Sequence, residues 1–288
     1  MSWPHLLAST GWLAEHLHDS TLRIIDIRGL VKPATEPPPH YFNKHQDYLT
    51  GHIPGAVFID WVKAITDPAD PRHAQIAPPE RFAALMSGVG IDGNSFVVAY
   101  DDGEGIFAAR LWWALHYYGH DKVAVLDGGY SKWLAEGRPT ETDIPTHTPT
   151  TFIPNIQAEW RRTGDQVAAA MHSPTQIVDV RTPAEYRGEA SRAERAGHIP
   201  SAVNLPRTVH RQADGTMFPP EALREQFGAL GINVDTPEVI FHCNGGVSAS
   251  YSLLALQVAG LNNGTLYDGS WKDWGNDPTK PTHTGDEP

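Results

Sequence analysis

The residues best suited to chemistry lie in one short stretch, Cys243-Asn244-Gly245-Gly246-Val247-Ser248. Cys243 is the sole cysteine of the 288-residue chain. It follows an apolar run of strand character, Val239–His242, and precedes a helical pattern over Val247–Ala259. In an open parallel sheet, ligands bind beyond the carboxyl ends of the strands. Paired glycines let the backbone curl with its amides pointing inward, and a helix start adds unpaired N–H groups and a partial positive charge. A thiol held there favours its thiolate, and the same amides would cradle an anionic group delivered to the sulfur. A lone cysteine is otherwise more often an inert core side chain. Gly-Gly directly after it, at the mouth of a helix, turns the reading toward a nucleophile.

Several neighbouring chemistries fit less well. A dithiol oxidoreductase needs a second cysteine to resolve its intermediate, and the chain has none to offer. A cysteine-dependent phosphatase needs an arginine at the helix start to clamp phosphoryl oxygens, where this chain has Ala249 between Ser248 and Ser250. One cysteine also excludes an intramolecular disulfide and a zinc cluster built on cysteines. The net charge of −12, with no basic run, argues against nucleic acid as a partner. Residues Met1–His5 lack the basic start and apolar run of a secretory signal, and no stretch approaches the ~20 apolar residues of a membrane span. The expectation is a soluble, cytoplasmic protein that needs no membrane.

The elements that must position Cys243 are legible as an internal repeat. Ile24-Ile25-Asp26-Ile27-Arg28 matches Ile177-Val178-Asp179-Val180-Arg181, and Gly51-His52-Ile53-Pro54 matches Gly197-His198-Ile199-Pro200. Phe96–Asp101 matches Glu238–Cys243, and Leu126-Asp127-Gly128-Gly129 matches Tyr267-Asp268-Gly269-Ser270. The anchors recur in the same order, so the chain is read as two tandem domains, residues 1–140 and 158–288, joined by a Thr- and Pro-rich linker over 141–157. Each half alternates short β-branched runs with longer helical patterns, the signature of parallel α/β units. In the second half strands are predicted at Gln176–Val180, Ala202–Asn204, Val239–His242 and Thr265–Tyr267, and helices at Thr163–Met171, Pro220–Ala229 and Val247–Ala259. The polar tail after Gly275 is expected to fray. Asp101 stands where the second half has Cys243, and an aspartate cannot carry sulfur, so the first half is expected to be a silent partner.

Taken together, the tandem arrangement, the two Asp-x-Arg strands, the two Gly-His-Ile-Pro segments, the Cys243–Ser248 loop and Asp268-Gly269-Ser270-Trp271 resemble the two-domain rhodaneses. These include thiosulfate and 3-mercaptopyruvate sulfurtransferases. The resemblance implies an α/β fold of two rhodanese-like domains, each a five-stranded parallel sheet with helices on both faces. It also implies a catalytic C-terminal domain with its site near the domain interface. Cys243 would take sulfur as a persulfide from a small donor, cradled by Asn244, Gly245, Gly246, Val247 and Ser248. Cyanide or a thiol, or a protein sulfur acceptor, would then receive it, and the resemblance implies that no metal or organic cofactor is needed.

The departures from the family pattern concern the donor. Mercaptopyruvate enzymes place a Ser at the position of Gly245, working with a His and an Asp from the first domain. His73 matches that His by spacing, while the Asp position falls at Val62, near Asp60. Thiosulfate enzymes of vertebrate type place Arg and Lys at the positions of Asn244 and Gly245. A substrate-binding arginine aligns with Glu185, with Arg187 two positions on, and Arg192 and Arg195 lie where a second one occurs. Arg187 and His73 are therefore the expected substrate contacts beside the loop. Sulfite leaves thiosulfate as a stable anion, whereas pyruvate leaves as a developing enolate that gains more from a positioned acid. The missing loop hydroxyl thus favours thiosulfate over 3-mercaptopyruvate. A persulfide carrier serving a protein partner is the competing reading, motivated by the neutral loop.

Overall fold

The computed structural model of the chain describes residues 3–72 and 74–288. The first half holds strands β1 (Leu7–Ala8), β2 (Leu22–Asp26), β3 (Gly29–Val31), β4 (Tyr41–Asn43), β5 (Ala56–Phe58), β6 (Phe96–Tyr100) and β7 (Val123–Leu126). Its helices are α1 (Thr10–His16), α2 (His45–Thr50), α3 (Pro79–Gly88), α4 (Ile106–Tyr117) and α5 (Gly129–Ala135). The second half holds β8 (Arg161–Arg162), β9 (Gln176–Asp179), β10 (Ala202–Asn204), β11 (Val239–His242) and β12 (Gly264–Tyr267). With them run α6 (Gly164–Ala170), α7 (Pro183–Arg187), α8 (Pro220–Gly228), α9 (Val247–Val258) and α10 (Ser270–Trp274).

Two five-stranded parallel sheets form, in the orders β1-β7-β6-β2-β5 and β8-β12-β11-β9-β10. Each strand of the first sheet has its counterpart at the same place in the second, so the sequence repeat is a structural repeat. Side chains alternate across each sheet. Val97 and Ala99 of β6 face the same large core as Val239 and Phe241 of β11. Phe96, Val98 and Tyr100 face a separate core beneath α1 and α5, and Ile240 faces one beneath α6 and α10. Helices therefore cover both faces of each sheet. The inner helices α4 and α9 pack on each other, which explains why both are buried around almost their whole circumference. The core of the two halves is continuous across this contact.

The motif residues of the repeat prove to be braces. In each half the Asp and Arg of Asp-x-Arg form a buried ion pair, Asp26–Arg28 at 2.8 Å and Asp179–Arg181 at 2.5 Å. The arginine then donates to a glycine carbonyl, Gly51 or Gly197. The histidine of each Gly-His-Ile-Pro stacks on a tyrosine, His52 on Tyr48 at 4.0 Å and His198 on Tyr186 at 3.7 Å.

Three features were not read from the sequence. The edge strands β1 and β8 are two residues long and carry no periodicity to detect. The β3–β4 hairpin is an insertion of the first half, accounting for part of its extra length. The tail after Gly275 does not fray. Trp274 Nε1 donates to the Pro281 carbonyl at 2.6 Å, Lys280 pairs with Asp165, and His283 bridges to His198.

Candidate active site

Cys243 is the first residue beyond β11, at the carboxyl edge of the central strand of its sheet. It is 4% exposed and lies at the floor of a 590 Å³ cavity between the halves. The floor and near wall come from the second half, including Asn244, Gly245, Val247 and Ser248. The far wall comes from the first half: Leu30, Val31, Pro33 and Tyr41 of the inserted hairpin, with Asp101 and Glu104.

A second loop fixes the shape of the cysteine loop from below. The Ser270 hydroxyl accepts from the amides of Cys243 (3.1 Å) and Gly246 (3.0 Å) and donates to the Tyr267 carbonyl (2.8 Å). Ser270 holds a left-handed backbone, φ +54°, to do so. The amides of Trp271 and Lys272 donate to the carbonyls of Cys243 and Asn244, each at 3.0 Å. Gly246 turns the chain into α9 at φ +76°, and a side chain there would run into the Arg110 guanidinium at 2.8 Å. Among the described residues, the amides of Asn244, Gly245, Val247, Ser248 and Ala249 donate to no protein acceptor. They line a concave nest beside the sulfur, at the start of a twelve-residue helix.

The first half shows such a nest filled. Asp101 follows β6 as Cys243 follows β11, and its carboxylate accepts from the amides of Gly103 (2.9 Å), Gly105 (2.9 Å), Phe107 (3.0 Å) and Ala108 (3.4 Å). Counted from the helix starts Ile106 and Val247, Phe107 and Ala108 correspond to Ser248 and Ala249. Burial pushes the Asp101 carboxyl up while the four amides pull it down.

Three charged residues frame the sulfur. Glu185 is held by a capping box at the start of α7, in which Thr182 and Glu185 bond to each other's backbone. Its Oε1 accepts from Asn244 Nδ2 (2.9 Å) and from Arg192 (2.6 Å). Arg192 also donates to the Lys32 carbonyl in the first half (2.6 Å), while its Nε is buried with no partner among the described residues. Lys272 is 7% exposed, with its ammonium 4.2 Å from the centroid of the Tyr41 ring. Burial lowers its pKa to about 8, helped by Arg192 and opposed by Cys243.

Of the residues expected to contact substrate, Asn244, Gly245, Val247 and Ser248 line the cavity, and Gly246 forms the turn behind them. Arg187 is elsewhere: it pairs with Glu189 (2.6 Å) and Asp286 (3.7 Å) and does not border the cavity. The five-residue helix α7 turns it to the outer surface, while Arg192, beyond that helix, reaches the sulfur site. Arg195 is spent on carbonyls of the tail segment, among them Gly275 and Lys280. His73 lies outside the described residues. Sequence reasoning missed Ser270 as the brace of the loop, and Lys272 and Tyr41 altogether; the Asp-Gly-Ser-Trp motif was the available signal for the first. Among the described residues, no group of three His, Cys, Asp or Glu is placed to hold a metal ion.

The halves are bolted by the counterpart loops. Asp268 accepts from Arg110 (2.6 Å) and from the amide of Ile76 (3.2 Å) and forms an ion pair with Arg161 (3.0 Å), and Asp127 accepts from the amide of Met217 (2.8 Å). Each Asp-Gly loop thus reaches into the opposite half, which keeps the first half's wall in register with Cys243.

Comparison with known proteins agrees with this architecture. The rhodanese-like domain pattern matches residues 9–136 and again 163–277. The chain is 35% identical to the 3-mercaptopyruvate sulfurtransferase of Escherichia coli K12 over 268 residues, 92% of each chain. It is 34% identical to the sulfur carrier protein TtuD of Thermus thermophilus over 298 residues, 99% of this chain and 98% of that one. It is 32% identical to the thiosulfate sulfurtransferase of Bos taurus over 279 residues, 93% of this chain and 91% of that one. The crystal structure of SseA from Escherichia coli superimposes with a TM-score of 0.81 at 33% identity, covering 93% of this chain and 99% of that one. Two matched domains, two equivalent sheets and relatives matched over most of their length make one conclusion: the chain belongs to the rhodanese-like family, as a two-domain sulfurtransferase.

Proposed function

We propose that this sulfurtransferase moves sulfane sulfur from thiosulfate to a thiophilic acceptor through a persulfide on Cys243. The observation that carries the reading is the set of amides around Cys243 that have no protein acceptor among the described residues, set against the first half, where the Asp101 carboxylate accepts from amides of the counterpart loop. The Cys243 thiolate attacks the outer sulfur of thiosulfate. The S–S bond of the donor breaks and its electron pair leaves with sulfite. Cys243 is left as Cys–S–S⁻, whose terminal sulfur carries the charge toward the amides of Asn244, Gly245, Val247, Ser248 and Ala249. Cyanide or a thiolate then attacks that sulfur, leaves as thiocyanate or a new persulfide, and restores the Cys243 thiolate.

Sulfite needs no proton to depart, and Gly245 offers no hydroxyl to supply one. Arg192, aimed by Glu185 and the Lys32 carbonyl, is the group that meets the sulfonate end of the donor. Residues 1–140 form the non-catalytic domain, 141–157 the linker and 158–288 the catalytic domain. The test is turnover of thiosulfate and cyanide, read as thiocyanate, beside pyruvate release from 3-mercaptopyruvate. Thiocyanate formation faster than pyruvate release supports the reading, and the reverse assigns the donor to 3-mercaptopyruvate. Similarity to a sulfur carrier over nearly the whole chain favours a protein acceptor as second reading. In that case the persulfide forms, but cyanide drains it slowly.

A further inference from the structure

Lys272 is a charged group near the sulfur whose position in the other half carries no charge. Its position there is Ser131, whose amide donates to the Asp102 carbonyl (3.0 Å) as the Lys272 amide donates to the Asn244 carbonyl (3.0 Å). The backbone is duplicated and the side chain is not: a hydroxyl stands beside Asp101, an ammonium beside Cys243. That ammonium sits on the ring of Tyr41, a residue of the cavity wall that also includes Cys243 and Arg192. Among the described residues no carboxylate pairs with it, because Glu185 is taken by Arg192 and Asn244. A buried ammonium with no carboxylate partner is costly, and the cost is offset when an anion, whether the Cys243 thiolate or a donor, stands next to it.

We propose that Lys272 is a positioning cation of the sulfur site, which draws anionic donors to Cys243 and supplies the positive charge that Asn244 and Gly245 do not. The proposal rests on the thiosulfate reading for its physiological donor, but its physical content is selectivity for anions at Cys243. That content is measured without any sulfur donor. Alkylation of Cys243 by iodoacetate, an anion, and by iodoacetamide, its neutral analogue, consumes the same thiolate, so the ratio of the two rates cancels changes in thiol ionisation. In Lys272→Met that ratio falls about tenfold at neutral pH and low salt, and less at high salt where charges are screened. Lys272→Arg restores most of it. The KM for thiosulfate rises by a similar factor while kcat changes little. If the Met variant does not fold, Lys272→Gln serves the same purpose. An unchanged ratio in the neutral variant, or no recovery with Arg, overturns the proposal. Absence of thiocyanate formation by the unaltered protein overturns the thiosulfate reading instead, whatever the ratio does.

Discussion

Asp101 and Cys243 directly follow equivalent central strands, and both border the same cavity. The Asp101 carboxylate is fastened by four amides of its own loop; around Cys243 the counterpart of Gly105, Gly246, donates to Ser270 Oγ, while the amides of Ser248 and Ala249, counterparts of Phe107 and Ala108, have no protein acceptor among the described residues. One half of the molecule is therefore a filled version of the other's anion nest. The carboxylate is a permanent occupant; a persulfide or a donor anion would be a transient one.

Replacing Asp101 by Ala should cost stability rather than chemistry. Four buried amides lose their acceptor, and leaving such groups unpaired costs about 1–3 kcal/mol in all, even after water or local relaxation compensates some of them. Thermal unfolding should shift down, while thiosulfate turnover per folded molecule stays within about twofold, a factor worth less than 1 kcal/mol. Loss of turnover in a fully folded D101A protein would contradict the silent-partner assignment.

Ser270 should matter to both. In Ser270→Ala the amides of Cys243 and Gly246 lose their shared acceptor, at a cost of about 2 kcal/mol. The loop that shapes the nest loosens, so kcat should fall about tenfold or more, as for loss of an oxyanion donor. Ser270→Thr, which keeps the hydroxyl, should recover part of the rate. Steady-state kinetics and a urea melt on the two variants decide this.

Arg192 and Arg187 give a paired test. Arg192→Ala removes the cation proposed to meet the donor's anionic end and leaves Glu185 buried without its ion-pair partner. kcat/KM for thiosulfate should fall about a hundredfold, the scale of a charge-assisted contact. Arg187→Ala, on the outer surface, should change it little. Equal losses in the two variants would contradict the placement of the site.

Acid should destabilise the fold through its buried histidines. His242 precedes Cys243 and is fully buried, and burial holds its imidazole at about 4 although Asp179 opposes the shift. His210 is likewise held at about 4. In the unfolded chain both titrate near 6.5. The unfolded state then binds more protons between about pH 4 and 6.5, so stability falls as pH drops through that window and is insensitive to these groups above it. Urea midpoints should be lower at about pH 5 than at about pH 7.5, and His242→Gln should flatten the difference. A midpoint unchanged or raised at the lower pH would contradict the account.

Most of the fold was legible because it is written twice. The Asp-x-Arg and Gly-His-Ile-Pro anchors carry buried braces, so both copies keep them. Cys243 stands out in the sequence because a thiol, two glycines and a helix start coincide there, and the structure places it at the cavity between the halves. Arg187 was misplaced because spacing along the chain cannot reveal that the short helix α7 turns it outward and brings Arg192 in. Lys272 and Tyr41 were invisible for a related reason. They are 231 residues apart in sequence (272 − 41) and meet only once α10 and the inserted hairpin of the opposite half have folded.

The most direct test of the central claim is the intact mass of the protein after thiosulfate treatment and removal of excess donor, with peptide mapping of the product. The account predicts one added sulfur atom, located on the peptide that contains Cys243, lost on addition of cyanide with one equivalent of thiocyanate, and absent in Cys243→Ser. Sulfur found on another residue, or sulfur transfer retained by Cys243→Ser, would contradict it.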